Sequence, residues 1–302
     1  MAKRVRIDQP ASPLAFAAWP SSSNSPVLRG LIIAAVVVFL TAVALPRICF
    51  WVLEAQGIET KPLGAQTPAH FGAPYEDLQL QSKGRSLHGR LVQGPATSAP
   101  AVLIFHGNGE SVSDWARVQA QLRSLGMSSM VFDYSGFGAS GGSPSIENLR
   151  EDAMTAVANW MHLTPHASKR VLLGHSLGNA VMLDAAKSLP QPLPMVIHAG
   201  FTSAREIAIE TGLLHPVVSK LISPLLPDVW NNEETLSGLN SRVLILHGDR
   251  DDVIPPEMAS RLAKAAGSRA QMQIHAGVGH DDIFLETSAA EWDSLVQWAN
   301  SL

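Results

Sequence analysis

The chain carries one cysteine, Cys49, in 302 residues. That excludes an intrachain disulfide and any cysteine-rich zinc site. Basic residues are not in surplus: 22 Lys and Arg face 26 Asp and Glu, a formal net charge of -4. A chain that grips phosphates normally shows a positive excess, so no nucleic-acid partner is expected. Charge of either sign is sparse, at 16% of residues, whereas 46% are hydrophobic. Such a chain buries a sizeable core, which excludes a disordered chain and a collagen-like one. No internal repeat or low-complexity run is present.

The first feature that is present is a long uncharged stretch. Gly30 to Pro46 (GLIIAAVVVFLTAVALP) is apolar on all faces. Seventeen residues at about 1.5 Å each span roughly 26 Å, enough for a thin bilayer core. Arg47 interrupts, and Ile48 to Leu53 continues apolar, so Arg47 can snorkel to the interface beside Trp51. Residues 29–53 are therefore expected to form a transmembrane signal anchor. Ala42-Val43-Ala44 offers a small-x-small cleavage site, the mark of the rival reading, a cleaved signal peptide. The tail, residues 1–28, is basic, with Lys3, Arg4 and Arg6 against Asp8, and Arg29 follows it. The positive-inside rule then keeps the tail in the cytoplasm and sends the rest to the non-cytoplasmic side.

Residues 54–74 are rich in glycine and proline and read as a linker. From residue 75 to 302 the pattern changes. Leu78–Gln81 and Leu87–Val92 alternate like a hairpin. Ala101–Phe105, Ser129–Phe132, Arg170–Leu173, Met195–His198 and Val243–Leu246 are short continuous apolar runs. Strands buried on both faces read this way. Between them, Asp114–Leu125, Ile146–His162, Ser176–Leu189 and Pro256–Ala266 place apolar residues at helical spacing. The alternation predicts an α/β domain with a mostly parallel sheet and helices on both faces.

Gly174-His175-Ser176-Leu177-Gly178 follows one such strand and opens a helix. This is the G-x-S-x-G elbow in the context it requires. A tight strand-to-helix turn lifts the Ser176 hydroxyl out of the sheet, and its neighbours two residues away must lack side chains. A nucleophilic serine needs a base, and the base an orienting acid, in the chain order Ser, Asp, His for this elbow. Asp249, Asp251 and Asp252 compete just past the strand Val243–Leu246; Asp251 is favoured and Asp249 is next. His280 lies in the loop before the final helix and is the expected base. His88, His198 and His247 read as core or surface filling. His106-Gly107-Asn108-Gly109 ends an apolar strand with glycines that let backbone N–H groups approach a carbonyl oxygen. The oxyanion donors are assigned to the N–H of Leu177 and of Asn108, with Gly109 the alternative to Asn108.

These motifs, with Asp133-Tyr134-Ser135-Gly136-Phe137-Gly138, Ser140-Gly141-Gly142, Phe201-Thr202-Ser203 and Gly279-His280-Asp281-Asp282, occur in one order. Together they resemble the α/β-hydrolase superfamily. More narrowly, they resemble its small membrane-anchored serine hydrolases, the lysophospholipase, monoacylglycerol lipase and palmitoyl-thioesterase group. The resemblance covers about residues 75 to 302. It implies an eight-stranded sheet, a Ser176-His280-Asp251 triad and hydrolysis of esters or thioesters, with no metal or organic cofactor. The substrate expected is lipid-like or a small ester. Glu110 departs from the small apolar residue that often follows His-Gly-Asn, and it reads as solvated. Ser176 at the elbow excludes the aspartate-based dehalogenases and epoxide hydrolases of this fold, and the cysteine-based dienelactone hydrolases. Residues 201–241 are the one insertion large enough for a lid and predict a small helical flap. Within it Leu213, Leu214, Val217, Leu221, Ile222, Leu225 and Leu226 are expected to line an acyl pocket in part. A peptidase or amidase with the same triad, and a catalytically silent binding module, are the alternative readings. The oligomeric state is not legible in the sequence.

Overall fold

The computed structural model of the chain describes residues 25–210, 229–282 and 289–302. It divides into two units, Met1–Pro46 and Arg47–Leu302. The described part of the first unit is helical. Helix α1 (Pro26–Phe39) starts after Ser25, whose side chain accepts from the Leu28 N–H, and has Pro26 in its first turn, where no donor is missed. A π turn, Leu40–Ala44, follows. Then comes helix α2 (Leu45–Gly57), with Pro46 in its first turn. Proline cannot donate to the preceding turn, and a widened turn is one way a helix accommodates it. Among the described residues one helix, Pro26–Ala44, is long and apolar enough to cross a membrane. None of its side chains is buried.

The second unit is built on an eight-stranded sheet. Its strands are β1 (Glu76–Ser82), β2 (Arg85–Val92), β3 (Ala101–Phe105), β4 (Ser128–Phe132), β5 (Arg170–His175), β6 (Met195–His198), β7 (Val243–Gly248) and β8 (Ala270–His275). Their order is β1-β2-β4-β3-β5-β6-β7-β8. β1 and β2 form an antiparallel hairpin, β2 pairs antiparallel with β4, and every later pairing is parallel. Seven of the eight strands, β1 to β7, coincide with the apolar or alternating runs named from the sequence.

The continuous apolar runs are explained by burial on both faces. Leu103, Phe105, Leu172, Ile197 and Ile245 enter one core with helices α4 (Ile146–Leu163), α5 (Leu177–Ala186) and α8 (Pro256–Ala266). Their neighbours Val102, Ile104, Leu173, Val196 and Leu244 enter a second core with α3 (Ala116–Ser124) and α9 (Ala289–Ser301). The two-residue period of a strand sends successive side chains to opposite cores. Between β6 and β7 the described residues form two short helices, α6 (Ala204–Glu210) and α7 (Asn232–Gly238).

The segment expected as a linker is held against the domain along its length. Glu54 Oε1 accepts the Ile146 N–H at 2.7 Å. The Lys61 carbonyl accepts the Gly138 N–H at 2.8 Å. Ser113 Oγ donates to the Gly64 carbonyl, and Arg90 Nη1 to the Gln66 carbonyl, both at 2.8 Å. Between the end of α2 and a short 3-10 turn at Pro68–Phe71 the segment is irregular, and the domain satisfies carbonyls there.

Candidate active site

The parallel strands end along one edge of the sheet, where ligands bind in folds of this kind. β5 ends there at His175, and α5 starts at Leu177. Ser176 between them has φ 49° and ψ -119°, a conformation that L side chains rarely adopt. Such a residue stores on the order of 1–3 kcal/mol of strain, held by its surroundings. The two elbow glycines show why side chains are excluded. A Cβ on Gly178 would lie 1.9 Å from the Phe105 carbonyl oxygen, and one on Gly174 would lie 2.8 Å from Asn179 Cα. The strand and helix cross too closely for either.

Ser176 Oγ donates to His280 Nε2 at 3.1 Å, although 104 positions separate them. His280 Nδ1 donates to Asp251 Oδ2 at 2.8 Å. The carboxylate accepts only, so the proton sits on Nδ1 and leaves Nε2 free to accept. The other oxygen, Asp251 Oδ1, accepts from the N–H of Val253 at 3.0 Å and of Ile254 at 2.7 Å. Burial alone would push the Asp251 carboxyl up. Hydrogen bonds from His247, His280 and the Ile254 N–H outweigh it and hold the group well below the usual carboxylate range. Asp249 does not reach His280. Its Oδ1 accepts from the Gly277 N–H at 2.6 Å and braces the loop after β8.

His247 is a contributor that the sequence reading passed over as filling. It is fully buried, and its Nε2 donates to the Ile254 carbonyl at 2.9 Å with Asp251 Oδ2 at 3.2 Å. The available signal was its place at the end of β7, four residues before Asp251. His175 is a second. Its buried ring lies 5.0 Å from that of His280, centroid to centroid, with Trp115 at 6.0 Å beyond. Burial pushes its imidazole well below the ordinary value, so it stays neutral.

The loop after β3 holds Asn108 and Gly109, the two candidates for an oxyanion donor. The Gly109 N–H donates to the Glu59 carbonyl at 2.9 Å. The Asn108 side chain is clasped from both ends: Oδ1 accepts the Glu59 N–H at 2.8 Å and Nδ2 donates to the Gly57 carbonyl at 3.1 Å. Leu177 opens α5, so its N–H is among those without an intrahelical partner. Glu110, read as solvated, is partly buried. Its Oε2 accepts from the Gly107 N–H at 2.6 Å and from the Trp115 indole at 2.9 Å. Burial pushes its carboxyl up. A charge in a glycine loop reads as surface from sequence because its partners are a backbone and an indole N–H.

Ser176, Leu177 and Asn108 border an apolar cavity of about 240 Å³. Ile58, Ile146, Phe201, Ile207, Trp230 and Ile254 supply its walls. The flap residues Leu213, Leu214, Val217, Leu221, Ile222, Leu225 and Leu226 lie outside the described residues. Among the described residues the apolar walls come from elements on either side of that stretch and from the end of α2.

Residues 96–243 match the family model described as serine aminopeptidase, S33. A solved α/β hydrolase from Vibrio vulnificus superposes with a TM-score of 0.67, covering 85% of this chain and 93% of its own at 19% identity. The chain has the α/β-hydrolase fold. An uncharacterised protein of Mycobacterium tuberculosis is 33% identical over 61% of the chain. The lysophosphatidylserine lipase ABHD12 of Bos taurus is 29% identical over 57%. The match spans 64% of the length of the mycobacterial protein and 46% of the bovine one.

Proposed function

We propose that this α/β hydrolase is a membrane-anchored serine hydrolase that cleaves carboxylic esters or thioesters with an apolar acyl group. One observation carries the reading: the hydroxyl hydrogen-bonded to His280 belongs to Ser176, on the rim of an apolar cavity. Ser176 Oγ attacks the acyl carbon while His280 Nε2 takes its proton. The carbonyl oxygen, now negative, accepts from the N–H of Leu177 and Asn108. His280 returns the proton to the leaving oxygen or sulfur. Water then attacks the acyl enzyme with His280 again as base, and Asp251 stabilises the imidazolium at each stage. The helix Pro26–Ala44 supplies the anchor, and the basic tail keeps the N-terminus in the cytoplasm with the catalytic domain outside. The bovine relative, a lysophosphatidylserine lipase, supports a lipid-like substrate.

The family model favours a second reading, an aminopeptidase. Such an enzyme needs a carboxylate free to hold the substrate's ammonium beside the acyl carbon. The one carboxylate on the apolar cavity's described wall is Glu54, whose Oε1 accepts the Ile146 N–H. That favours the ester.

Fluorophosphonate labelling and parallel ester and anilide series test both readings. Wild type is expected to label and to turn over esters faster than anilides, and Ser176→Ala to do neither while staying folded. Labelling that persists in folded Ser176→Ala sinks the mechanism. Faster anilide turnover establishes the peptidase, and an unlabelled wild type a silent binding module.

A further inference from the structure

A second cavity, of about 500 Å³, meets the apolar one at Asn108, which lines both. Its character is different. Glu59, Glu110, Asp114 and Asp281 line it, against one ammonium, Lys61. Lys61 is already paired: its Nζ lies 2.6 Å from Asp114 Oδ1. Glu110 is occupied by its two hydrogen bonds. Glu59 and Asp281, both exposed, remain to face a ligand. The cavity also has a buried polar wall in His175, which is 2% exposed and whose Nδ1 has no hydrogen-bond partner.

The chemistry of the triad fixes what belongs beside His280. The leaving atom receives its proton from His280 Nε2, so its substituent must extend along the His280 flank of the oxyanion loop. The polar cavity borders that flank at Asp281, the next residue, and at His175, whose ring lies against that of His280. The acyl chain is accounted for by the apolar cavity. We infer that the acid-lined cavity is the leaving-group subsite, and that it selects a polar alcohol that is cationic or neutral and rejects an anionic one. This inference rests on the ester-hydrolase reading above, and it adds the chemical class of the alcohol.

The test holds the acyl group constant and varies the leaving alcohol. Octanoyl esters of choline, glycerol and glycerophosphate supply one positive, one neutral and one anionic alcohol. In the full-length protein kcat/KM is expected to fall in that order, with about tenfold between choline and glycerophosphate at low salt. Added salt should compress the ratio, since Glu59 and Asp281 are exposed. The double variant Glu59→Gln/Asp281→Asn should bring the ratio close to one, and Glu59→Lys should tilt it toward glycerophosphate. A wild type that prefers glycerophosphate overturns the inference. So does a choline preference that both variants keep, even when all three esters are cleaved in a Ser176-dependent way. Failure to cleave any of them, or a p-nitrophenyl ester, sinks the ester reading itself.

Discussion

His247 Nε2 lies 3.2 Å from Asp251 Oδ2, the same oxygen that accepts the His280 Nδ1–H at 2.8 Å. One carboxylate oxygen thus serves two imidazoles, while the other is filled by two backbone N–H groups. The acid cannot rotate without losing several partners together. Removing the buried His247 should loosen it. His247→Leu is expected to cost about 1.5–3 kcal/mol at neutral pH, the range for a hydrogen bond to a charged group.

The depressed Asp251 titration sets a pH dependence of its own. A carboxyl held below its unfolded value, about 3.9, contributes stability that is complete above that value and fades as pH falls. Asp251→Asn should therefore cost most at pH 6–7, and its cost should shrink toward pH 3. Urea unfolding of wild type and Asp251→Asn across this range measures it. A gap that stays constant with pH would mean the carboxylate gains nothing from its charge.

The strained elbow predicts a trade between stability and chemistry. Glycine tolerates φ near 49° and alanine does not. Ser176→Gly should thus be more stable than Ser176→Ala by about 1 kcal/mol, both being inactive. Calorimetry of the two variants decides it; equal melting points would mean the turn is unstrained.

Gly178 and Gly238 provide a matched pair. A Cβ on Gly178 would strike the Phe105 carbonyl, whereas one on Gly238, at the end of α7, meets nothing within 4 Å. Gly178→Ala should lose about 3 kcal/mol or more, and Gly238→Ala should stay within about 0.5 kcal/mol of wild type. Comparable denaturation midpoints for the two would contradict the close crossing of β3 and α5.

Ala208 is buried and lines the apolar cavity. Ala208→Phe should fill part of it and move the ester optimum to shorter chains. Each buried CH2 contributes up to about 0.8 kcal/mol, so octanoyl over acetyl preference should collapse while acetyl turnover persists. A C2 to C12 series shows the shift, and an unchanged optimum would place the acyl groove elsewhere.

Glu110 makes the oxyanion loop testable from behind. Glu110→Gln keeps an acceptor for the Gly107 and Trp115 N–H groups, while Glu110→Ala leaves both without one. Alanine is expected to lower kcat by tenfold or more, and glutamine to restore most of it. Equal rates for the two would remove the loop-bracing role.

The sheet was legible because its strands are buried on both faces, so Ala101–Phe105 and Val243–Leu246 stand out as unbroken apolar runs. The elbow was legible because Gly174 and Gly178 are sterically required. Strand ends also narrowed the candidate acids and base to a few loop positions. What sequence could not supply was convergence. The choice between Asp249 and Asp251 depends on which carboxylate the loop turns toward His280. The cavity wall gathers Ile58, Ile146 and Trp230 from distant stretches, none carrying a local pattern. His247 and Glu110 act through backbone and indole partners that leave no trace in residue type.

The clasp on Asn108 changes where the enzyme begins. Drawn by its sheet, the catalytic body starts at Glu76. Drawn by its candidate site, it starts at Gly57, whose carbonyl, with the Glu59 N–H, holds the Asn108 side chain in place. A soluble version trimmed just ahead of Glu76 would thus keep every strand and the Ser176, His280 and Asp251 side chains, yet lose the peptide that sets the pitch of the loop facing them. Trimming ahead of Arg47 spares it. The boundary that matters for trimming this chain lies inside helix α2, upstream of the fold it serves.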